Sequence, residues 1–317
     1  MTAQTVPLVL LGLARAMGTT LQNYRLVIPE QFGRGYCSGF VFNEHIRLLI
    51  ANYELYQDLP LANPDVDAVK KTIFFKFQHI FPDKKKHISI PQLHTHPSVL
   101  IGTSRINTDE VIAIHTNTAV INIEVDAAYL NHLFGAAQRS PLLQSLLNNT
   151  QPLLFEQIIY PALQTVVNSI LSEPINPTFE LFFFKIKTEE LVCRLLMELE
   201  KRDEQPIYAL NNSDIQAVYR VRKKILYTLG LPPLIGELAV DAGMSPTKLK
   251  RLFKQIFGDS IFSYYQNRRM QEAARLLREE KLSVSETGYR LGFTNLSHFS
   301  RVFEGYIGMK PKRYSRE

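Results

Sequence analysis

Cysteine is scarce in this chain, which limits the kinds of protein it can be. The 317 residues include two cysteines, Cys37 and Cys193, which lie far apart in the sequence. Two such residues exclude a disulfide framework, so both are interpreted as free thiols, most simply buried ones. A reduced cytoplasm is the simplest location for a protein of this composition.

Long hydrophobic runs are also missing. Residues 6–13 are apolar, but Arg15 ends this run well short of the ~20 residues that a membrane-spanning helix needs. No cationic segment precedes the run, so we expect neither a signal peptide nor a transmembrane helix. With 45% apolar and 21% charged residues, the chain is expected to be a packed globular protein that is long enough for two domains.

Recognisable catalytic motifs are absent as well. The sequence has no Ser/His/Asp constellation, no glycine-rich phosphate loop and no CxxC pair. His94 and His96 would share one face of a strand and are a candidate metal-binding pair. Pro97 follows at once, and Glu110 lies 14 residues beyond His96, so a structural role for these histidines is favoured. We predict no catalytic residue, no cofactor and no metal ligand.

One short pattern occurs twice in the last third of the chain. Residues 238–258 read LAVDAGMSPTKLKRLFKQIFG, and residues 287–308 read TGYRLGFTNLSHFSRVFEGYIG. Gly243 matches Gly292 at an offset of 49 positions, whereas Phe253 matches Phe303 at an offset of 50. The second copy therefore has one extra residue just after its turn.

Each copy predicts a helix, a tight turn and a second helix. Gly243 and Gly292 suit a helix end where φ is positive. Ser245 and Thr294 are good N-caps for the helix that follows, and Pro246 suits a first helical position. Apolar residues then recur on one helix face. This is the helix-turn-helix pattern, in which the second helix enters the major groove of DNA.

The other face of each second helix carries cationic and hydrogen-bonding side chains, which suit phosphates and base edges. The predicted DNA-binding residues are Thr247, Lys248, Lys250, Arg251, Lys254, Asn295, Leu296, Ser297, His298, Arg301, Lys310 and Lys312. Those expected at base edges are Thr247, Lys248, Arg251, Leu296, Ser297 and Arg301. A solvated face in an ordinary helical bundle would explain one copy, but a plain bundle has no need of a repeated turn.

The basic charge lies in the same part of the chain. Residues 211–317 hold 19 Lys and Arg against 10 Asp and Glu, whereas the rest of the chain holds 17 against 20. Phosphate binding requires such an excess. A helix over residues 261–281 is predicted to join the two motifs as a rigid spacer. Ser283 and Glu286 then predict a capping box that starts the next helix.

This stretch resembles the DNA-binding domain of the AraC family of bacterial transcription regulators, over about the last hundred residues. The sequence VSETGYRLGF, the spaced Phe299 and Phe303, and the Gly308 and Lys310-Pro311 that follow are similar to the family signature. Gly288 departs from it, since the family usually has alanine there, and glycine inside a helix should cost about 1 kcal/mol. The run MSPTKLKRLFKQIFG is similar to a siderophore-sensing branch that includes the pyochelin regulator.

The N-terminal part combines two predicted kinds of structure. Residues 20–125 are predicted to be β-rich, and the resemblance implies a cupin-like jelly roll there. Residues 127–202 are predicted to be helical. The aromatic residues of the β-rich part either line a ligand pocket or fill a core. The stripe formed by Leu191, Val192, Leu195, Leu196 and Leu199 either packs on its own domain or, as the resemblance implies, forms a dimer interface.

The predicted fold class is therefore α+β, with a ligand-sensing and candidate dimerisation domain (1–203), a linker (204–212) and an all-α DNA-binding domain (213–317). The resemblance implies a cytoplasmic transcription regulator, with an activator role among the expectations. Its expected partners are double-stranded promoter DNA, a small-molecule effector, a second copy through helix 188–202, and RNA polymerase if it activates. Two alternatives stay open: an enzyme of the metal-cupin or DNA-repair type with a DNA-binding tail, and an architectural DNA binder without a ligand.

Overall fold

The computed structural model describes residues 5–57, 71–81, 96–104, 117–135, 139–172, 175–202 and 206–316. The chain divides into two compact units, Met1–Asn212 and Ser213–Glu317. In the described ranges the first unit contains a sheet and helices, whereas the second is helical. This confirms the α+β class, with a β-rich part before a helical C-terminal part. Each helix within these ranges is too short or too polar to cross a bilayer.

One antiparallel sheet organises the described part of the first unit. Its strands are β1 (Arg25–Val27), β2 (Gly33–Val41), β3 (Ile46–Leu55), β4 (Thr72–Gln78), β5 (Ser98–Thr103), β6 (Asn117–Asp126) and β7 (Leu154–Ile158). They lie in the order β1-β2-β3-β6-β4-β5-β7. Every neighbouring pair in this order is antiparallel. The sheet follows from β-branched and aromatic runs that are separated by turn residues.

The helices of this unit are α1 (Leu8–Ala16), α2 (Ala127–Leu133), α3 (Pro141–Asn148), α4 (Pro161–Ser172) and α5 (Glu180–Glu200). Alternate residues of a strand point to opposite faces of the sheet. Leu48 and Ile121 lie on one face, in the large core that also contains residues from α2 to α5. Cys37 and Ala51 lie on the other face, in a smaller core with Leu10 of α1. The sheet is therefore covered on both faces.

Our expectation of helices throughout residues 127–202 is wrong at β7. This strand pairs with β5, and Glu156 lies opposite Leu100. The pairing gives the backbone N–H and C=O groups of the segment hydrogen-bond partners, which outweighs its helix-like apolar spacing. Pro161 then stands at the first position of α4, where its missing N–H costs nothing.

The apolar stripe of α5 packs on its own unit. Leu191, Leu195 and Leu199 are each 0% exposed in the large core, and Val192 and Leu196 are buried beside them. A stripe that is already covered in this way has no apolar area left to bury against a second chain. Of the two alternatives for this stripe, packing on its own unit is therefore the one that the structure shows.

The second unit consists of α6 (Asn212–Tyr227), α7 (Ile235–Ala242), α8 (Pro246–Phe257), α9 (Ile261–Arg278), α10 (Val284–Arg290), α11 (Leu296–Ile307) and α12 (Pro311–Tyr314). Helices α7 and α8 form the first motif, and α10 and α11 form the second. Phe293, Phe299 and Phe303 are buried with Met270 and Leu277 of α9 in one core. The long helix α9 thus contributes to the packing of the second motif.

The two turns follow the predicted backbone geometry. Gly243 and Gly292 have φ values of +63° and +76°, as expected for helix ends that need glycine. Ser245 caps α8, and its Oγ accepts the N–H of Lys248 at 3.3 Å. The predicted cap Thr294 is wrong, because Asn295 caps α11. The extra residue after the second turn moves the helix start along by one position.

Candidate nucleic-acid interface

The first recognition helix, α8, has an apolar side and a basic side. Leu249, Phe253 and Ile256 are 0% exposed and fix the helix to the rest of the unit. Thr247, Lys250, Arg251 and Lys254 are exposed. The structure thus brings these four predicted residues together on the outer side of one helix, where their polar groups can reach phosphates or bases.

Lys248 differs from its neighbours on α8. Its Nζ lies 2.8 Å from Oδ1 of Asp214 on α6, and the Asp214 side chain is 15% exposed. The ion pair holds the ammonium against the protein. A base-edge contact by Lys248 therefore requires this pair to open, a condition that the sequence pattern did not reveal.

The second recognition helix, α11, carries a mainly neutral polar side. Ser297, His298 and Arg301 are exposed. Asn295 is the N-cap, and its Oδ1 accepts the N–H of His298 at 3.0 Å. Exposed Glu304 adds a negative charge to the same helix. The first motif therefore presents several cations, whereas the second presents hydrogen-bonding groups with one arginine.

Leu296 has a packing role within the second motif. A Cβ placed on Gly288 would lie 2.7 Å from Cδ2 of Leu296 and 3.3 Å from Cδ1 of Phe299. The glycine of α10 therefore lets α11 approach closely. Leu296 is half-buried in this contact, so only part of its side chain can meet a base.

Two predicted lysines lie after the second motif. Lys310 is the N-cap residue of α12, and its carbonyl oxygen accepts the N–H groups of Arg313 and Tyr314. Lys310 and Lys312 are both exposed. Their ammonium groups can therefore contact phosphate, while the short helix is fixed by Pro311, which is buried.

An arginine that the sequence did not single out holds the second turn. Nε and Nη2 of Arg269 donate to the carbonyl oxygen of Leu291, and the guanidinium lies 3.7 Å from the ring centroid of Phe293. Burial lowers the pKa of Arg269, although an arginine remains charged at neutral pH. Since its partner is a backbone carbonyl 22 residues away, no short-range motif could have found this contact.

A bridge of charges joins α9 to α10. Arg275 donates to Glu272 and to Glu280, and Arg290 donates to the other carboxylate oxygen of Glu280 at 2.9 Å. The Arg275 hydrogen bond is the main reason why the pKa of Glu280 lies below its ordinary value. These pairs place the first helix of the second motif against the long helix.

Neither recognition face has the features of a catalytic or metal site. Within the described residues, no group of three or more His, Cys, Asp or Glu side chains is placed to hold a metal ion. His94 lies outside the described residues, so the proposed histidine pair is not tested. What the two faces offer is hydrogen bonding and positive charge on paired helix-turn-helix motifs, the arrangement of a DNA-binding domain.

The comparison with known proteins also indicates a DNA-binding domain with helix-turn-helix motifs. Residues 238–317 match the family model described as a helix-turn-helix domain. The C-terminal part of the chain is similar to the arabinose operon regulatory protein from Escherichia coli, with 31% identity over 80 residues. That match covers 25% of this chain and 27% of the relative.

Two further similarities cover more of the chain. Regulatory protein PchR of Pseudomonas aeruginosa is 30% identical over 126 residues, which are 39% of this chain and 42% of that protein. The solved C-terminal domain of AraT, a response regulator from Geobacillus stearothermophilus, is 31% identical, with a TM-score of 0.30 and coverage of 32% of this chain and 84% of that one. The chain thus spans less than half the length of the curated relatives named here.

Proposed function

We propose that this protein is a sequence-specific DNA-binding transcription regulator. The observation that carries the proposal is the pair of helix-turn-helix motifs, each with an exposed polar side on its second helix. The basic side of α8 supplies attraction to phosphates, which is largely independent of sequence. The amide, hydroxyl and guanidinium groups on both helices supply base readout.

The long helix α9 is proposed as the spacer between two DNA contacts. Its 18 residues correspond to ~27 Å at 1.5 Å per residue. Adjacent major-groove segments on one side of DNA lie ~34 Å apart. We therefore propose two half-sites about 10 base pairs apart, with DNA bending making up any remaining difference.

Footprinting on selected genomic fragments tests this function. DNA fragments from the source genome that stay bound to the full-length protein would be sequenced. The same fragments would then be footprinted with hydroxyl radicals. Two protected segments, one helical turn apart, are expected. Arg251→Ala should weaken binding by ~1–3 kcal/mol if Arg251 reads a guanine. Protection of a single segment would show that the proposal of two half-sites is wrong. Unchanged affinity of Arg251→Ala would show that Arg251 does not read a base.

The first unit is proposed as the effector-sensing domain. Its sheet is covered by helices on both faces, and one of these faces contains a cavity that is described below. A closed cupin-like jelly roll and a siderophore-like effector remain proposals that follow from the family resemblance. A sensor is stabilised by what it binds, so heat denaturation with candidate effectors distinguishes it from an architectural DNA binder. Elemental analysis of purified protein would reveal the metal-dependent enzyme alternative.

A homodimer through α5 is proposed with a different surface from the one expected. Phe182, Ile186 and Met197 are 64%, 45% and 60% exposed, and Cys193 is exposed beside them. Their spacing places them on one side of the helix. Oxidation should then link two chains through Cys193, and Cys193→Ser should abolish the link. A chain that sediments as a monomer at all concentrations would rule out the dimer.

A cytoplasmic location and contact with RNA polymerase are proposed together with the function as a transcription regulator.

A further inference from the structure

A cavity of about 180 Å³ lies between α1 and the sheet of the first unit. Leu10 and Leu13 of α1 form its roof, and both are buried. The floor consists of side chains from β2, β3, β4 and β6. This cavity is partly open to solvent, and because it lies between one helix and four paired strands, it is preformed, as small-molecule sites usually are.

Strand pairing fixes the floor of this cavity. Ala51 lies opposite both Cys37 and Val120, so three apolar side chains form one row across β2, β3 and β6. Asn122 lies opposite Lys76, so two polar side chains are neighbours across β6 and β4. Residues that are directly opposite each other point to the same face of a sheet. The floor therefore has an apolar part and a polar part that cannot exchange places.

The roof is held close to the sheet. The N–H of Val41 on β2 donates to the carbonyl oxygen of Thr5 at 2.8 Å. Gly39, also on β2, has no side chain, and a Cβ there would lie 2.9 Å from Cδ and Cγ of Pro7 and 3.2 Å from Cδ2 of Leu10. Glycine thus allows α1 to approach the strand closely, which closes the cavity on this side.

The polar end of the cavity contains a buried cation. Lys76 is 6% exposed and Thr118 is 5% exposed. An ammonium group has three N–H donors, so Lys76 can donate to a protein acceptor and to a ligand at the same time. Cys37 lies at the apolar end, opposite Ala51. Burial raises the pKa of its thiol to about 12, so the thiol stays neutral.

We propose that this cavity binds a compact carboxylate with an apolar body about the size of benzoate. The carboxylate would accept hydrogen bonds from Lys76 and Asn122, and the apolar body would contact Leu13 and Ala51. The size follows from the volume, since a cavity of about 150 Å³ accommodates benzene and this one is slightly larger. The inference rests on the proposed sensing role of the first unit and names the chemical class of the effector.

Calorimetric titration of the full chain with benzoate and benzamide tests the charge requirement. Benzamide has nearly the same shape without the charge, so it should bind at least ten-fold more weakly. Lys76→Met should weaken benzoate binding on the order of 10–100-fold, since hydrogen bonds to charged groups contribute most. The matched control is Lys71→Met, because Lys71 is exposed just before β4. It should bind benzoate as the unchanged chain does.

Filling the apolar part of the cavity locates the ligand. Ala51→Leu places a larger side chain opposite Cys37 and Val120, so it should weaken benzoate binding at least ten-fold, and urea denaturation checks that the variant still folds. Equal binding of benzoate and benzamide, undiminished binding to Lys76→Met, or undiminished binding to Ala51→Leu would each overturn the proposal. Binding to DNA is measured separately on the same protein, so failure here is distinguishable from failure of the regulator function.

Discussion

Nε and Nη2 of Arg269 both donate to the carbonyl oxygen of Leu291, at 2.8 and 2.5 Å. Leu291 is the C-cap of α10, where carbonyl groups lack partners within the helix. The same guanidinium stacks on Phe293. One side chain of α9 therefore fixes the end of α10, the turn and the first buried aromatic residue after it.

Replacement of Arg269 by methionine should loosen the second motif. The Leu291 carbonyl would lose a charged donor, so we expect a loss of about 2 kcal/mol in the free energy of unfolding. Urea denaturation of the full chain measures it. Arg268→Met is the matched control, because Arg268 donates to the Gln271 side chain on its own helix. It should cost about 1 kcal/mol or less. Equal costs for the two variants would contradict the proposed role of Arg269.

The two turn glycines should differ in their tolerance of alanine. Both have a positive φ, which should cost alanine roughly 1–2 kcal/mol. A Cβ at Gly243 would meet nothing within 4 Å, whereas a Cβ at Gly292 would collide with the carbonyl oxygen of Gly230. Since overpacking adds about 1–3 kcal/mol, Gly292→Ala should be the more destabilising variant. Thermal unfolding compares them, and equal melting temperatures would disprove the close backbone approach.

Local signals explain why so much of the second unit could be predicted. A positive φ at Gly292 follows from the helix end that precedes it. The Ser283–Glu286 capping box depends on residues three positions apart, and both of its hydrogen bonds form. The end of α9 was harder to place. It stops at Arg278, three residues before the predicted end, and Lys281 adopts a φ of +54°.

Contacts between distant residues explain what the sequence did not reveal. Residues 154–158 have apolar spacing that also fits a helix, and their pairing with β5 decides the outcome. The α5 stripe is compatible with a core or an interface, and its burial against the large core settles the choice. Lys248 looked like any other lysine on a basic helix face, but Asp214 on α6 pairs with it.

This ion pair predicts an unequal response among the lysines of α8. Lys254→Ala should lower DNA affinity for every sequence and reduce the salt dependence by about one counterion. Lys248→Ala should have a smaller effect, because Asp214 already neutralises the ammonium at 2.8 Å. Fluorescence anisotropy with one labelled duplex at several salt concentrations measures both variants.

The partner variant completes this test. Asp214→Asn keeps the shape of the side chain but removes its charge, so Lys248 becomes available to phosphate. We expect tighter DNA binding and a steeper salt dependence, each reversed when Lys248→Ala is added. If Asp214→Asn leaves both quantities unchanged, then Lys248 does not contact DNA when the pair is opened.

Acid should weaken the junction between α9 and α10 through Glu280. Hydrogen bonds from Arg275, with a smaller contribution from Arg290, hold the pKa of Glu280 below its ordinary value of 4.5. Because the folded-state pKa is the lower one, the stabilisation is complete above the unfolded-state pKa. It is lost as the pH falls through the folded-state pKa. The Glu280 side chain is 35% exposed, so solvent screening should limit the effect to about 1 kcal/mol or less.

Glu280→Gln isolates this contribution. The variant should be less stable than the unchanged chain at neutral pH, and the difference should shrink once the pH is well below 4.5, because the native carboxylate is then protonated too. Glu279→Gln is the control, since that carboxylate is 68% exposed and lies 3.8 Å from Arg275. Its screened pair should contribute little at any pH. A difference for Glu280→Gln that persists undiminished in acid would mean that the charge bridge does not stabilise this junction.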